Sequence, residues 1–357
     1  MPTKKSEKRT QKAVTGRNIE KSVNIALQGG GSHGAFTWGV LDKLFEDDRL
    51  WIQSISGTSA GAMNTVVASQ GMYDGGAVGA RKALRAFWKD VSDAGKHSPI
   101  KRSPLDMMMG NWDLEYSPGY RMMDMISRMS SPYDFNMVSF NPLRKLILDH
   151  VDFDMMNGCA DGFTMFISAT NVETGRVRIF KREELTVDAV LASACLPSMF
   201  QAVEIDGQHY WDGGYMGNPV LSPFKTDSPV DDTLIVQINP IVSEGVPKTA
   251  QQIQNRVNEI SFNASLLKEL RVIRDMNNLI SSGELDAKRH RSTRLHVIEA
   301  QDRMAPLGAS SKMNTEWAFL EHLFDIGRDA AGTWLAKNYD SIGKQSTFDL
   351  DALFADT

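Results

Sequence analysis

Twice within its first 70 residues the chain runs from a short apolar stretch, through a tight run of glycines and small residues, into a helix-period pattern. Val23-Asn24-Ile25-Ala26-Leu27-Gln28 leads into Gly29-Gly30-Gly31-Ser32-His33-Gly34, after which Phe36, Val40, Leu41, Leu44 and Phe45 recur at helical spacing. Trp51-Ile52-Gln53-Ser54-Ile55-Ser56 leads into Gly57-Thr58-Ser59-Ala60-Gly61, and a helix of small residues is predicted from 62 to about 70. A strand, a glycine turn and a helix, used twice, indicate a parallel sheet with crossover helices. The expected fold class is therefore α/β, with a mainly parallel central sheet and helices on both faces. The 357 residues suit one large domain with appended segments, or two small ones.

Further along, strands are predicted over 163–170 and 177–180, joined across Glu173-Thr174-Gly175, and over 202–205 and 208–211 around Asp206-Gly207. A helix is predicted over 187–194 and buried strands over 233–238 and 294–298. A long helix is expected from 249 to 281, with Ile253, Val257, Ile260, Leu267, Leu270, Ile273 and Ile280 as its apolar side. Another follows over 315–339, and the last residues read as a loose tail. Residues 95–142 break this regularity with Pro99, Pro104, Pro118, Pro132 and Pro142. The same stretch is crowded with Met107, Met108, Met109, Met122, Met123, Met125, Met129 and Met137. Methionine fills irregular gaps and adaptable surfaces, so this segment is either irregular core packing or a cap or lid over an acyl-chain pocket.

A formal net charge of −5 gives no global pull toward nucleic acid. The two cysteines, Cys159 and Cys195, cannot form a disulfide framework and read as reduced, which agrees with a cytoplasmic setting. No apolar run is long enough to span a membrane, so any membrane contact is expected to be peripheral. Residues 1–21 hold Lys4, Lys5, Lys8, Arg9, Lys12, Arg17 and Lys21 against Glu7 and Glu20. They read as a basic, disordered tail, or as a weak electrostatic contact with an anionic lipid surface.

Three motifs carry chemistry. In Gly57-x-Ser59-x-Gly61 the glycines permit a sharp turn that lifts a serine hydroxyl to the C-terminal edge of the sheet, where open α/β folds bind ligands. The helix behind it brings N–H groups and a favourable dipole. The run 29–34 exposes backbone N–H groups between strand and helix, which suits either a phosphate or the oxyanion of a tetrahedral intermediate. The phosphate-loop lysine is missing. The dinucleotide spacing is met formally, but no acidic residue stands at a persuasive strand end about 20 residues on. Asp212, in Trp211-Asp212-Gly213-Gly214, is either a general base for the serine or a residue that shapes its own turn. His97, His150, His209 and His290 show no metal spacing, and His296 and His322 read as structural or surface residues rather than a triad base.

In order and spacing, Gly29 to Gly34, Gly57 to Gly61 and Asp212-Gly213-Gly214 resemble the three signatures of the patatin-like phospholipases. The stretch 192–200 resembles that family's segment before its catalytic aspartate. The resemblance covers about residues 22–240, and 241–357 resembles a mainly helical C-terminal extension of some bacterial members. It implies a patatin-like three-layer sandwich and acyl-ester hydrolysis without metal or cofactor. Ser59 would be the nucleophile, Asp212 the base, and the N–H groups of Gly30, Gly31 and Ser32 the oxyanion hole. The family's usual Lys or Arg is His33 here, a titratable group in place of a permanent charge and hence a candidate modulator. Phospholipids or lysophospholipids at a lipid surface are the expected substrates. A neutral lipid, an acyl thioester or a storage polyester are alternatives, as is a non-catalytic lipid- or nucleotide-binding protein on the same fold.

Overall fold

The computed structural model describes residues 19–134, 141–158, 162–243 and 245–355. Eight strands among them form one sheet: β1 (Lys21–Leu27), β2 (Leu50–Gly57), β3 (Thr164–Asn171), β4 (Val177–Lys181), β5 (Val203–Ile205), β6 (Gln208–Asp212), β7 (Asp232–Val236) and β8 (Arg294–Ile298). The order is β5-β6-β3-β2-β1-β7-β8, with β4 also paired to β3. The run from β3 to β8 is parallel. Both predicted hairpins are present as antiparallel pairs, and β6 lies antiparallel to β3.

Alternation along the strands divides two cores. Ile25, Leu27, Met165, Ile167, Leu234 and Val236 enter one, while Ala26, Phe166 and Ile235 enter the other. Helices α1 (Gly34–Glu46), α2 (Ala60–Gly95), α3 (Pro118–Met129), α4 (Val187–Ser193), α5 (Ala250–Ser281) and α6 (Trp317–Asn338) make up most of the helical structure. α1, α2, α4 and α6 bury residues in the first core, and α5 covers the second with Leu266, Leu270 and Ile273. This is the expected three-layer sandwich. α1 and α6 cross where both carry glycine. A Cβ at Gly39 would stand 2.0 Å from the Phe324 carbonyl oxygen, and one at Gly327 would stand 2.1 Å from that of Phe36. Asp42 on α1 binds Arg81 on α2 (2.9 Å) and Arg328 on α6, tying the layer together.

Several expectations need correction. The helix after Ser59 runs to Gly95 rather than Gln70, broken only at Gly75 and Gly76, whose backbone is non-helical. The chain doubles back there so tightly that a Cβ on Gly79 would meet the Gly71 carbonyl oxygen at 2.1 Å. Ile253, Val257 and Ile260 on α5 are about half exposed, so the buried side of that helix begins only at Asn263 and Leu266. The final residues are packed. The N–H groups of Thr347 and Phe348 donate to Leu295 O (3.0 and 3.1 Å), shielding the outer edge of β8, and Phe354 joins the second core. Residues 241–357 thus supply the sheet's last strand and a helix on each of its faces.

Candidate active site

Ser59 sits between β2 and α2 with φ 54° and ψ −119°. Such a conformation costs a non-glycine residue about 1–3 kcal/mol and persists only where neighbours over-determine it. Here they do. The Ser59 N–H donates to Ser193 Oγ (2.9 Å), and the Thr58 N–H to Leu27 O (3.2 Å). The Thr58 hydroxyl donates to Gly217 O (2.7 Å). Gly57 and Gly61 let the turn close. A Cβ on Gly57 would lie 2.5 Å from Gly61 O, and one on Gly61 would lie 2.4 Å from Leu27 O. Ser59 remains partly exposed, with the N-terminus of α2 immediately behind it.

The sheet brings Asp212 to this serine. β4 occupies one edge of β3 from Phe166 to Thr170, so β2 and β6 must share the other edge, end to end. Gly57, at the end of β2, pairs with Ile167; Asp212, at the end of β6, pairs with Ala169. The two C-terminal ends therefore meet on that one edge of β3. Asp212 is 1% exposed, and its Oδ1 accepts the Gly214 N–H at 2.6 Å. Burial pushes its carboxyl up to about 7, against the Gly214 N–H and the Ser59 hydroxyl, which both favour the charged form. A carboxylate poised there can take the serine proton near neutral pH. Gly213 and Gly214 have no room for side chains, with Ser168 O and the Phe262 ring each 2.2 Å from their Cβ positions.

The glycine run lies against the serine. A Cβ on Gly29 would be 2.8 Å from Ser59 Cβ, and one on Gly34 would be 2.6 Å from Ala60 Cβ. Gly31 takes the left-handed conformation (φ 57°), which glycine adopts without strain. Among the described residues no acceptor takes the Gly30 or Gly31 N–H. Gly30, Gly31 and the buried Ser32 thus stand together beside Ser59. His33 is buried, with Nε2 2.7 Å from Ser311 Oγ. Burial, and then the Lys312 charge, hold its pKa down to about 3. The cationic form of His33 would be desolvated beside another cation, which weighs against protonation of this ring as a modulator of the site.

A cluster of buried amides around the loop escaped the sequence reading. The Gly29 N–H donates to Asn218 Oδ1 (2.7 Å), and Asn239 Nδ2 donates to Gly29 O (3.0 Å). Gln28 Oε1 accepts the N–H groups of Ile238 and Asn239 (2.8 and 2.9 Å). Gln28 and Asn239 follow the ends of apolar strands and Asn218 lies in a loop, and neither signal names a partner. Ser193 fell inside the recognised stretch 192–200, but without a role. Of the two cysteines, Cys195 is buried as a free thiol, pushed up to about 12 by burial and the nearby Asp212. Cys159 lies outside the described residues, as do Met137 and the basic tail up to residue 18. His296 is fully buried and bound to Asp232 (3.1 Å) and Thr347 (2.9 Å); His322 stacks on Trp112. Neither joins the serine. Among the described residues no cluster of metal ligands occurs and no helix is long and apolar enough to cross a membrane.

Fold and turn together define the class: a three-layer α/β protein with a hydrolase-type serine turn. The chain belongs to the patatin-like phospholipase family, which matches over residues 25–225 and so takes in all three motifs. At that coarse level it is a lipid-ester hydrolase. No curated protein matches it. Among solved structures it is similar to VipD from Legionella pneumophila, at 13% identity and a TM-score of 0.36 over 86% of this chain and 67% of that one. It is also similar to ExoU in the ExoU–SpcU complex of the Pseudomonas aeruginosa type III secretion system. That match has 14% identity and a TM-score of 0.34 over 90% of this chain, which spans 53% of its length.

Proposed function

We propose that this chain is a serine acyl hydrolase of the phospholipase A or lysophospholipase type, working through a Ser59–Asp212 dyad. The observation that carries the reading is the end-to-end meeting of β2 and β6, which sets a strained serine before a buried carboxylate. Asp212 takes the Ser59 proton as the hydroxyl attacks the ester carbonyl. The Gly30, Gly31 and Ser32 N–H groups receive the oxyanion. As the intermediate collapses, Asp212 returns the proton to the leaving alcohol, and the ionised carboxylate then serves again as base for the water that hydrolyses the acyl-enzyme.

Lipid is the class of substrate that the surroundings favour. Tyr215 and Met216 beside the dyad, and Ile253, Val257 and Ile260 on α5, are all exposed. So are Met107, Met108, Met109, Met122, Met125 and Met129, on a segment in which α3 buries no residue. This apolar segment reaches the site. Tyr133 Oη accepts the Ala202 N–H (3.0 Å), Gln201 O accepts the Cys195 thiol, and Cys195 O accepts the Asp212 N–H (2.8 Å). Exposed methionines so tethered suit a lid that rests on acyl chains during transient docking at a lipid surface.

The test is covalent labelling by a fluorophosphonate, together with product analysis on a natural lipid extract. Native protein is expected to label at Ser59 and release fatty acid. Ser59→Ala and Asp212→Asn are expected to lose turnover by about 10³-fold or more while staying folded. Native-like turnover in either variant overturns the dyad. Release of fatty acid from neutral lipid alone, or of hydroxy acid from polyester alone, would overturn the phospholipid class but keep the chemistry.

A further inference from the structure

A cation stands behind the glycine loop, brought there by the C-terminal segment. Residues Ala309–Met313 form a short 3-10 turn that lies against the loop: a Cβ on Gly31 would sit 2.5 Å from Lys312 O. From this turn Lys312 Nζ donates to Asn239 Oδ1 at 2.7 Å. Asn239 is 1% exposed, and its Nδ2 donates in turn to Gly29 O at 3.0 Å. Among the described residues no carboxylate lies within ion-pair distance of Lys312. Glu259 on α5 acts on it only from further off and is itself paired with Arg256 (3.0 Å). The ammonium is part-buried, and its hydrogen bond goes to Asn239 rather than to a carboxylate among the described residues.

The relay ends on one peptide unit. The Gly29–Gly30 bond is trans, so its carbonyl and its N–H point in opposite directions. The carbonyl is drawn toward Asn239, which aims the Gly30 N–H the other way, and among the described residues that N–H meets no acceptor. The unit lies against Ser59, whose Cβ is 2.8 Å from the Cβ position of Gly29. A donor on a peptide oxygen makes the same peptide's N–H a stronger donor, and a charge at the far end of the chain of hydrogen bonds extends the effect. We propose that Lys312 is a positioning residue for acyl transfer, fixing and polarising through Asn239 the Gly29–Gly30 peptide whose N–H receives the oxyanion. The proposal rests on the Ser59–Asp212 reading.

The charged and titratable groups that face Lys312 set its pH behaviour. His33, on the adjoining turn, is neutral, and among the described residues Glu259, on α5, is the group that favours the ammonium. Burial outweighs it and lowers Lys312 to about 8. The ammonium is therefore present at neutral pH and lost above about pH 8, and catalysis should fall there.

The experiment uses the full chain, a soluble short-chain ester to bypass lipid docking, and rates of fluorophosphonate labelling across pH. Native protein is expected to lose kcat on an alkaline limb near pH 8. Lys312→Arg, whose charge is permanent, is expected to keep kcat within about threefold and to lose that limb. Lys312→Met is expected to lower kcat about 10- to 100-fold at pH 7.5 with KM within about twofold, because an oxyanion contact exists only in the transition state. An alkaline limb near pH 8 retained in Lys312→Arg overturns the proposal, and this arm decides even if Lys312→Met fails to fold. Native kcat in a folded Lys312→Met overturns it as well. Native protein that neither labels nor turns over would instead overturn the dyad reading, and this inference with it.

Discussion

Asp212 has two consequences that can be measured separately. Its carboxyl is held near 7 in the folded chain, against about 3.9 in an unfolded one. Because the folded value is raised, the stabilising contribution is full below about pH 4 and is lost as pH rises through about 7. The ionised form that the proposed base needs is thus the form the fold tolerates least. Two outcomes follow: kcat/KM should climb with pH through about 7, and Asp212→Asn should melt above the native protein at pH 8. A tenfold change in an acid's ionisation constant is worth about 1.4 kcal/mol, so the gain should be about 2–4 kcal/mol at pH 8 and vanish near pH 4. Thermal melts at both pH values check this; equal melting temperatures at pH 8 would show that Asp212 is not destabilised by burial. At this scale the motif residues were legible because each group is contiguous in sequence: 29–34, 57–61 and 212–214. Asn218, Asn239 and Lys312 were not, since each finds its partner only after some 70 to 210 residues of chain have been folded back.

At the scale of elements, the proposed dyad depends on the length of β3 and on how its edge is divided. β2 takes its N-terminal part and β6 its C-terminal part, so a change in either register would part Ser59 from Asp212. The strands themselves were readable from apolar runs and turn signals, but no pattern in β6 announces which strand it will join. The doubled α2 was missed for a related reason: Gly71, Gly75, Gly76 and Gly79 look like helix breakers, yet two of them permit the close return of the chain. The glycine crossing of α1 and α6 gives a direct test. Gly39→Leu must push the helices apart at the Phe324 carbonyl, and overpacking of this kind costs about 1–3 kcal/mol or more. With roughly 2–4 °C of melting temperature per kcal/mol, a variant melting within about 1 °C of native would show that the crossing is loose.

Across the whole molecule the sheet is completed by the C-terminal part of the chain. β8 closes the far side of β7, α5 and α6 cover opposite faces, and the 309–313 turn backs the glycine loop. A chain ending at residue 240 would leave Ala26, Phe166 and Ile235 without α5, and β7 without a neighbour on that side. It is expected to be insoluble or to lose its cooperative melt, although it keeps every motif residue. Circular dichroism and a thermal scan would decide, and a cooperative, active fragment would show that residues 241–357 are dispensable. The sequence by itself determined the fold class, the family and the residues proposed to carry the chemistry, because strand and helix periodicity and contiguous glycine motifs are local properties. The tertiary structure alone decided that β2 and β6 meet end to end, that His33 is buried against Ser311, and that Lys312 stands behind the loop. Register, burial and the field at a buried atom are sums over distant parts of the chain, and no local pattern contains them.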